Sequence, residues 1–315
     1  MFSTVGDYQK YTYYTDASVK DSTRSNTSYF TLEPRISANY ILDESNSIKA
    51  SYCRTNQFLH LLSNSTTATP TDLWIPSSNN IKPEVADQFA LGYFKNFDDN
   101  NYETSAEVYY KKMGNQIDYI NGADLRLNKN VESQLLYGTG KSYGIELLLK
   151  KKTGRLTGWI SYTLSRTQRT FDFNDNKGLQ TYNAKQDRTH DLSVVAMYEI
   201  TKHLTFAGTW VFYTGNAVTF PVGYYYVDNK AVPYYNKRNA DRMPSYHRLD
   251  LSLNWVNKKT AKFESSWNFS LYNAYGQENA YSITFQPSKD NPLKPESVQT
   301  SLFRWIPSVT YNFRF

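Results

Sequence analysis

The sequence predicts an all-β chain: an antiparallel, up-and-down transmembrane β-barrel to which these residues contribute about twelve strands. Three observations carry that expectation. Apolar and polar residues alternate with a period of two along most of the chain, the pattern of a strand with one apolar and one polar face. Tyrosine is abundant, 28 of 315 residues, and aromatics reach 16%, yet mean hydropathy is −0.65. A packed soluble core does not combine these properties, whereas a barrel with a wet interior and aromatic girdles does. Finally, short turns alternate strictly with long polar connections. A meander whose two ends lie on opposite sides of a membrane has this rhythm, while β-sandwiches mix their loop lengths.

The clearest strand is the last. In FRWIPSVTYNFRF (residues 303–315) Trp305, Pro307, Val309, Tyr311, Phe313 and Phe315 share one face. Arg304, Ser308, Thr310, Asn312 and Arg314 share the other, with only Ile306 out of place. An apolar strand ending on Phe315 would be an aggregation-prone edge in water, but not in a barrel wall that meets lipid. Earlier in the chain, residues 2–14 read as a weak first strand. Residues 30–42, 48–59, 84–97 and 102–112 follow as strands, then 141–151 and 155–169. Next come 188–200, 203–213, 246–256 and a strand from Phe263 that runs on toward Phe285. The polar connections are residues 63–80, 114–138, 171–186, 215–244 and 286–300. On the inner faces Glu, Ser, Thr, Asn and Arg suit a wet lumen.

Composition excludes several classes. The lone Cys53 rules out an intramolecular disulfide framework and a cysteine-based zinc cluster. A net charge of +6, spread along the chain, is no nucleic-acid footprint. No apolar run approaches the roughly 18 residues of a membrane helix. Phosphate loops, nucleotide fingerprints and calcium loops are missing. The start, MFSTVGDYQK, lacks the basic and apolar regions of a signal peptide, so a barrel reading implies that residue 1 is not the biological start.

Several stretches are familiar together and in order: IKPEVADQFALGYFKNF, GTGKSYGIELLLKKKTGRLTGWISYTLSRT, DRTHDLSVVAMYEI, TWVFYTGNAVTFP, MPSYHRLDLSLNW, LYNAYGQENAYSITF and IPSVTYNFRF. From about Phe30 to Phe315 the chain resembles the C-terminal portion of a TonB-dependent receptor barrel of the Bacteroidetes outer-membrane type. That resemblance implies a barrel of about 22 strands with an N-terminal plug. Residues 1–315 would form one section of a single barrel domain, without the plug and the earlier strands. It implies a Gram-negative outer-membrane location, lipid around the wall, and contact with TonB only through the missing N-terminal part. It also implies an unknown nutrient ligand, no cofactor and no nucleic acid. Tyr311, Phe313 and Phe315 resemble the signal read by the barrel assembly machinery.

The candidate ligand residues lie in the longest connection: Tyr224, Tyr225, Tyr226, Tyr234, Tyr235 and Arg238. Clustered tyrosines offer adaptable contact area in a loop, and loop packing or an aromatic girdle explains them as well. Lys82-Pro83-Glu84 fits the start of a strand, where proline withholds no needed N–H. The histidines, His60, His190, His203 and His247, have no metal-ligand spacing. Ser245 and His247 fall on one strand face, the minimum for a membrane-embedded hydrolase, but no third orienting group accompanies them. Two alternatives to a receptor section therefore stand: a self-contained passive pore, and a lipid hydrolase built on Ser245 and His247.

Overall fold

The computed structural model describes residues 9–13, 25–62, 72–123, 131–173, 177–228, 230–260, 262–291 and 293–315. Its centre is a twelve-stranded antiparallel sheet. In chain order the strands are β1 (Arg35–Ile41), β2 (Asn46–Gln57), β3 (Glu84–Phe97), β4 (Tyr102–Tyr119), β5 (Leu135–Lys151) and β6 (Leu156–Asp172). They continue with β7 (Leu179–Asn183), β8 (His190–Thr201), β9 (Leu204–Tyr213), β10 (Tyr246–Lys259), β11 (Glu264–Tyr272) and β12 (Ile306–Arg314). Each pairs with its chain neighbour, except that β6 carries both the short β7 at its upper end and β8 along the rest. Among the described residues β1 pairs only with β2 and β12 only with β11, so the sheet is an open section of wall with two free edges.

The connections keep the predicted rhythm. Turns of a few residues join β1–β2, β3–β4, β5–β6, β8–β9 and β10–β11; between them lie long links, the one from β6 to β8 containing the short β7. The β3–β4 turn is possible because Asp98, Asp99 and Asn100 all adopt positive φ, which Asp and Asn tolerate better than other side chains. By the usual polarity of such barrels, the short turns lie on the periplasmic side and the long links outside the cell.

Register turns the alternation into two chemically distinct faces. Tyr52, Phe89, Tyr110 and Tyr143 are successive cross-strand partners, and below them run Ala50, Leu91, Val108, Ile145 and Leu164. Apart from the half-buried Tyr52, these outward residues are exposed to the surroundings, Phe89 by 57% and Leu91 by 52%, and lipid is the medium that suits them. The opposite face carries Lys49, Gly92, Glu107, Glu146 and Thr163 in one row. Gly158 in β6 has a φ of 147°, and a Cβ there would meet the Val195 carbonyl oxygen at 2.0 Å, so β8 can approach only because this position is glycine.

Buried apolar residues collect at the long-link end. Leu62, Ile75, Ile81, Ile117 and Leu135 form one cluster, and Leu136, Phe171 and Tyr182 a second. The links are accordingly more structured than their polar composition predicts. Residues 63–80 close a hairpin, Leu59–Leu62 with Leu73–Pro76, although 63–71 lie outside the described residues. In place of an unbroken loop over 114–138, β4 continues through an irregularity between Met113 and Gln116, and β5 starts at Leu135. Residues 215–244 hold a Gly223–Val227/Lys230–Tyr234 hairpin, and residues 286–300 belong to a Ser282–Pro287/Pro295–Thr300 hairpin. The strand expected to run from Phe263 toward Phe285 stops at Tyr272, because Asn273 and Gly276 turn the chain at positive φ. Of the expected first strand only Gln9–Tyr13 is described; it pairs with Ser25–Tyr29, apart from the main sheet. β1 begins at Arg35, later than the expected residue 30.

Face assignment makes a direct prediction for the intact protein in lipid. Leu147→Arg, outward and near mid-wall, should lower unfolding free energy by about 2–4 kcal/mol. Glu146→Arg, one residue away and facing the lumen, should change it by less than about 0.5 kcal/mol. Urea unfolding in vesicles, followed by loss of the heat-modifiable folded band, measures both, and equal effects would refute the assignment.

Candidate functional site

At the long-link end, the inner face of the wall and the links enclose two clusters of guanidinium and aromatic groups. The first forms around Arg238, on the chain segment descending from the tyrosine hairpin. Its Nη1 donates to Asp118 Oδ1 at 2.6 Å and to the Tyr119 carbonyl at 3.1 Å, and Nη2 donates to Asn121 Oδ1 at 3.3 Å. The guanidinium lies 4.4 Å from the Tyr119 ring and 4.9 Å from that of Phe173. Tyr182 donates its hydroxyl to the second oxygen of Asp118 and packs on Phe171 and Phe173. A cavity of about 240 Å³ beside this cluster also takes in Arg169 and Lys185.

Electrostatics reinforce the arrangement. Burial works against the Arg238 charge, but Asp118 beside it more than compensates and its pKa rises. Burial pushes the Tyr182 phenol far up, helped by the Asp118 charge, and burial raises Tyr119 as well. Lys185 shifts the other way, lowered by burial with partial relief from Asp72.

The second cluster lines the lumen. Arg188 stacks over Tyr213 at 3.9 Å, and its Nε donates to Asn216 Oδ1 at 2.9 Å. Tyr213 and Tyr246, partners across β9 and β10, stack 4.6 Å apart and 3° from parallel. Arg248 pairs with Asp250, lies 4.2 Å over Tyr272, and donates Nη1 to the Tyr246 and Tyr272 hydroxyls at 2.9 and 2.8 Å. A cavity of about 360 Å³ is lined by Arg188, Tyr213, Tyr246, Tyr272 and the links above them. Stacked guanidinium and phenol groups offer flat faces plus directed donors, a surface for planar and anionic ligands.

Of the residues singled out by sequence, Tyr225, Tyr226, Tyr234 and Tyr235 lie exposed on or beside the hairpin, and Tyr224 is half-buried there. Tyr226 donates to the Leu293 carbonyl at 3.0 Å, tying this hairpin to the last link, and Tyr224 is raised by burial and by Tyr235. Arg238 joins Asp118, Tyr119 and Phe173 instead of the hairpin tyrosines. Tyr311, Phe313 and Phe315 form a continuous outward ladder with Trp267, at 4.8, 5.9 and 5.6 Å between successive rings. His247 accepts or donates at Nδ1 with the Tyr275 hydroxyl at 2.9 Å, and no bond joins it to Ser245 among the described residues. Sequence reading missed Asp118, Phe173, Tyr182, Arg188 and Tyr213; nothing local marks them, since up to 120 positions separate the partners.

The fold is thus an outer-membrane-type β-barrel section with a loop-covered vestibule. A family model described as "TonB dependent receptor-like, beta-barrel" matches residues 6–277, and the chain belongs to that family of outer-membrane proteins. No curated protein matches it. Among solved structures, the siderophore receptor PiuA from Acinetobacter baumannii is 15% identical with a TM-score of 0.59, the match covering 96% of this chain and 38% of that one. The ferripyoverdine receptor of the Pseudomonas aeruginosa outer membrane, bound to ferripyoverdine, is 13% identical with a TM-score of 0.58, covering 93% and 34%. The FrpB iron transporter from Neisseria meningitidis is 13% identical with a TM-score of 0.55, covering 92% and 39%. The chain therefore spans between a third and two fifths of the length of these relatives in fold.

The Arg238 cluster predicts a loop lock. Asp118→Asn leaves a largely buried guanidinium without its counter-charge, a loss of roughly 3–5 kcal/mol. Protease cleavage between Tyr235 and Ala240 should accelerate accordingly, while strands in the wall stay protected. Linkage gives the pH range: a raised phenol pKa stabilises fully below the unfolded value near 10 and is lost only as pH rises through the folded one. Segment protection should therefore persist at pH 10, and fall at a lower pH if Tyr182 were freely solvated.

Proposed function

We propose that this chain is the C-terminal wall of a TonB-dependent receptor that captures a small nutrient ligand in its outer vestibule for energised import. The observation that carries the reading is the convergence of Arg188, Tyr213, Tyr246 and Tyr272 on one lumenal cavity beneath the long links, with Arg248 bonded to the Tyr246 and Tyr272 hydroxyls beside it. Family membership supports it, and so do the similar structures, a siderophore receptor and a ferripyoverdine receptor among them. On that basis the proposed ligand class is an iron chelate with planar, anionic groups. Tyr224, Tyr225, Tyr226, Tyr234 and Tyr235 form the first contact surface, and Arg238 holds the segment that presents them. The remaining strands, the plug and the TonB contact lie in the rest of the intact protein. The quoted sequence segments favour the Bacteroidetes type. Tyr311, Phe313 and Phe315 serve as the signal to the barrel assembly machinery, an assignment supported by their ladder on the last strand.

Uptake of labelled ferric chelates by cells carrying the intact protein tests the ligand role. Replacing Arg188 and Arg248 with Gln should reduce uptake about tenfold or more at unchanged surface abundance, with each lost charged hydrogen bond contributing about 1.5–3 kcal/mol. Unchanged uptake of every chelate that the native protein imports would refute the assignment. Replacing Phe313 and Phe315 with Ala should instead lower the amount of folded protein in the outer membrane, leaving uptake per folded molecule intact.

A further inference from the structure

The outward face carries a second charged site that ligand capture does not use. Above the aromatic row of Tyr52, Phe89, Tyr110 and Tyr143 runs the row Arg54, Asp87, Lys112, Lys141 and Gln168, all mutual register partners. Arg166, the partner of Tyr143, projects on the same outer side as Lys141, one strand over and one row down. Asp87 is occupied: Arg54 Nε donates to Oδ1 at 2.7 Å and Nη2 to Oδ2 at 3.0 Å, and the Tyr52 hydroxyl adds a bond of 2.7 Å. Among the described residues no ion pair within 4.0 Å is formed by Lys112, Lys141 or Arg166, and all three are exposed. The next outward carboxylate on these strands, Asp172, is six residues up β6 from Arg166, roughly 20 Å along the strand.

Two observations make this row unusual for a plain surface. Lys112 and Lys141 sit directly opposite one another, an arrangement of like charges that destabilises a sheet unless an anion lies between them. Lower in the wall and to one side, on β1–β4, the small side chains of Ala38 and Ala50 lie between Ile36, Tyr52, Phe89 and Leu91 and leave an apolar hollow of about 570 Å³ that extends to Tyr110, the residue one row below Lys112. A cationic patch at the depth of the outer headgroups, flanked on its Lys112 side by a hollow in the hydrocarbon region, is complementary to a molecule with a charged head and several spread apolar tails. Arg166 supplies a fork for phosphate oxygens, and the two lysines supply point charges.

We propose that Lys112, Lys141 and Arg166 bind the phosphate groups of an anionic, multiply acylated lipid of the outer leaflet, with acyl chains filling the hollow at Ala38 and Ala50. The site takes one defined lipid from the bilayer, on the side of the wall that never meets the imported ligand. It rests on the membrane placement of the sheet and is independent of what the vestibule captures.

Native mass spectrometry of the intact protein, released from detergent after titration with bis-phosphorylated lipid A, reads the site. Retention should exceed that of lipid A with its phosphates removed and that of zwitterionic phosphatidylethanolamine. Changing Lys112, Lys141 and Arg166 to Gln together should weaken lipid A retention about tenfold or more, while Lys258→Gln and Lys259→Gln at the short-turn end leave it unchanged. Ala50→Phe, which keeps every charge and fills the hollow, should also weaken retention, and the Arg variant of both lysines should restore it. The heat-modifiable band reports that each variant is folded. Equal retention of the dephosphorylated lipid, unchanged binding by the triple variant, or equal competition by inorganic phosphate at matched concentration would each overturn the proposal.

Discussion

Backbone polarity governs this molecule. In hydrocarbon every N–H and C=O must find a partner within the protein, because water is absent and each unmet group costs several kcal/mol. The sheet meets that demand with ladders that run unbroken through the wall, for instance from Val85–Gly114 down to Phe97–Tyr102 between β3 and β4. Irregularities fall at the strand ends: between Met113 and Gln116 near the outside, and between Glu199 and Thr201 or Val256 and Lys258 near the short turns. There water can satisfy what the ladder does not. Two-sidedness follows from the same ladders, since a period of two sends Leu147 outward and Glu146 inward from adjacent positions.

Above the wall, a different set of interactions takes over. The links cannot rely on a thick core, so each is tied down by one or two buried polar contacts. Asp187, almost fully buried, accepts from the Thr167 backbone N–H at 2.5 Å and pairs with Arg242, which also donates to the Asp187 and Gly215 carbonyls at 3.0 and 3.1 Å. Asp118 and Arg238 do the same for the tyrosine-bearing segment. His60 is buried with Nε2 at 2.9 Å from Ser77 Oγ and Nδ1 at 3.5 Å from Glu84, fixing the hairpin after β2. A vestibule pinned in this way presents its aromatic faces at fixed positions, which lowers the ordering cost of holding a ligand.

The wall was legible in the sequence because its physics is local. Alternation alone separates Leu249, Leu251, Leu253 and Trp255 from Arg248, Asp250, Ser252 and Asn254, and the register bears this out in β10. The links were not legible, for two physical reasons. Their hairpins are polar and aromatic on both faces, so Gly223–Val227 and Lys230–Tyr234 show no contrast to read. Their contacts also depend on which strand ends are neighbours in space, so the cage that holds Arg238 draws on Asp118, Tyr119, Phe173 and Tyr182 from three distant stretches. A cation in a tyrosine-rich loop was visible; its counter-ion was not.

The two edges of the section carry the argument for the proposed longer barrel. β12 spans Ile306–Arg314 with every residue exposed, and β1 spans Arg35–Ile41 likewise. On each, one row of backbone groups faces away from the only strand that neighbours it among the described residues. In water such an edge is an aggregation hazard; in hydrocarbon several unmet groups at a few kcal/mol each would exceed the net stability of an ordinary domain, about 5–15 kcal/mol. The outward residues of these strands, Ile36, Tyr40, Val309, Tyr311 and Phe313, are nevertheless lipid-type side chains, so the edges belong in the membrane and not in solution. Both demands are met if each edge pairs with a further strand, which is what a wall of about 22 strands supplies. Closing β1 directly onto β12 would meet them too, but would draw the lumen in to about twelve strands, with less width for the side chains and links that line the two clusters at its mouth.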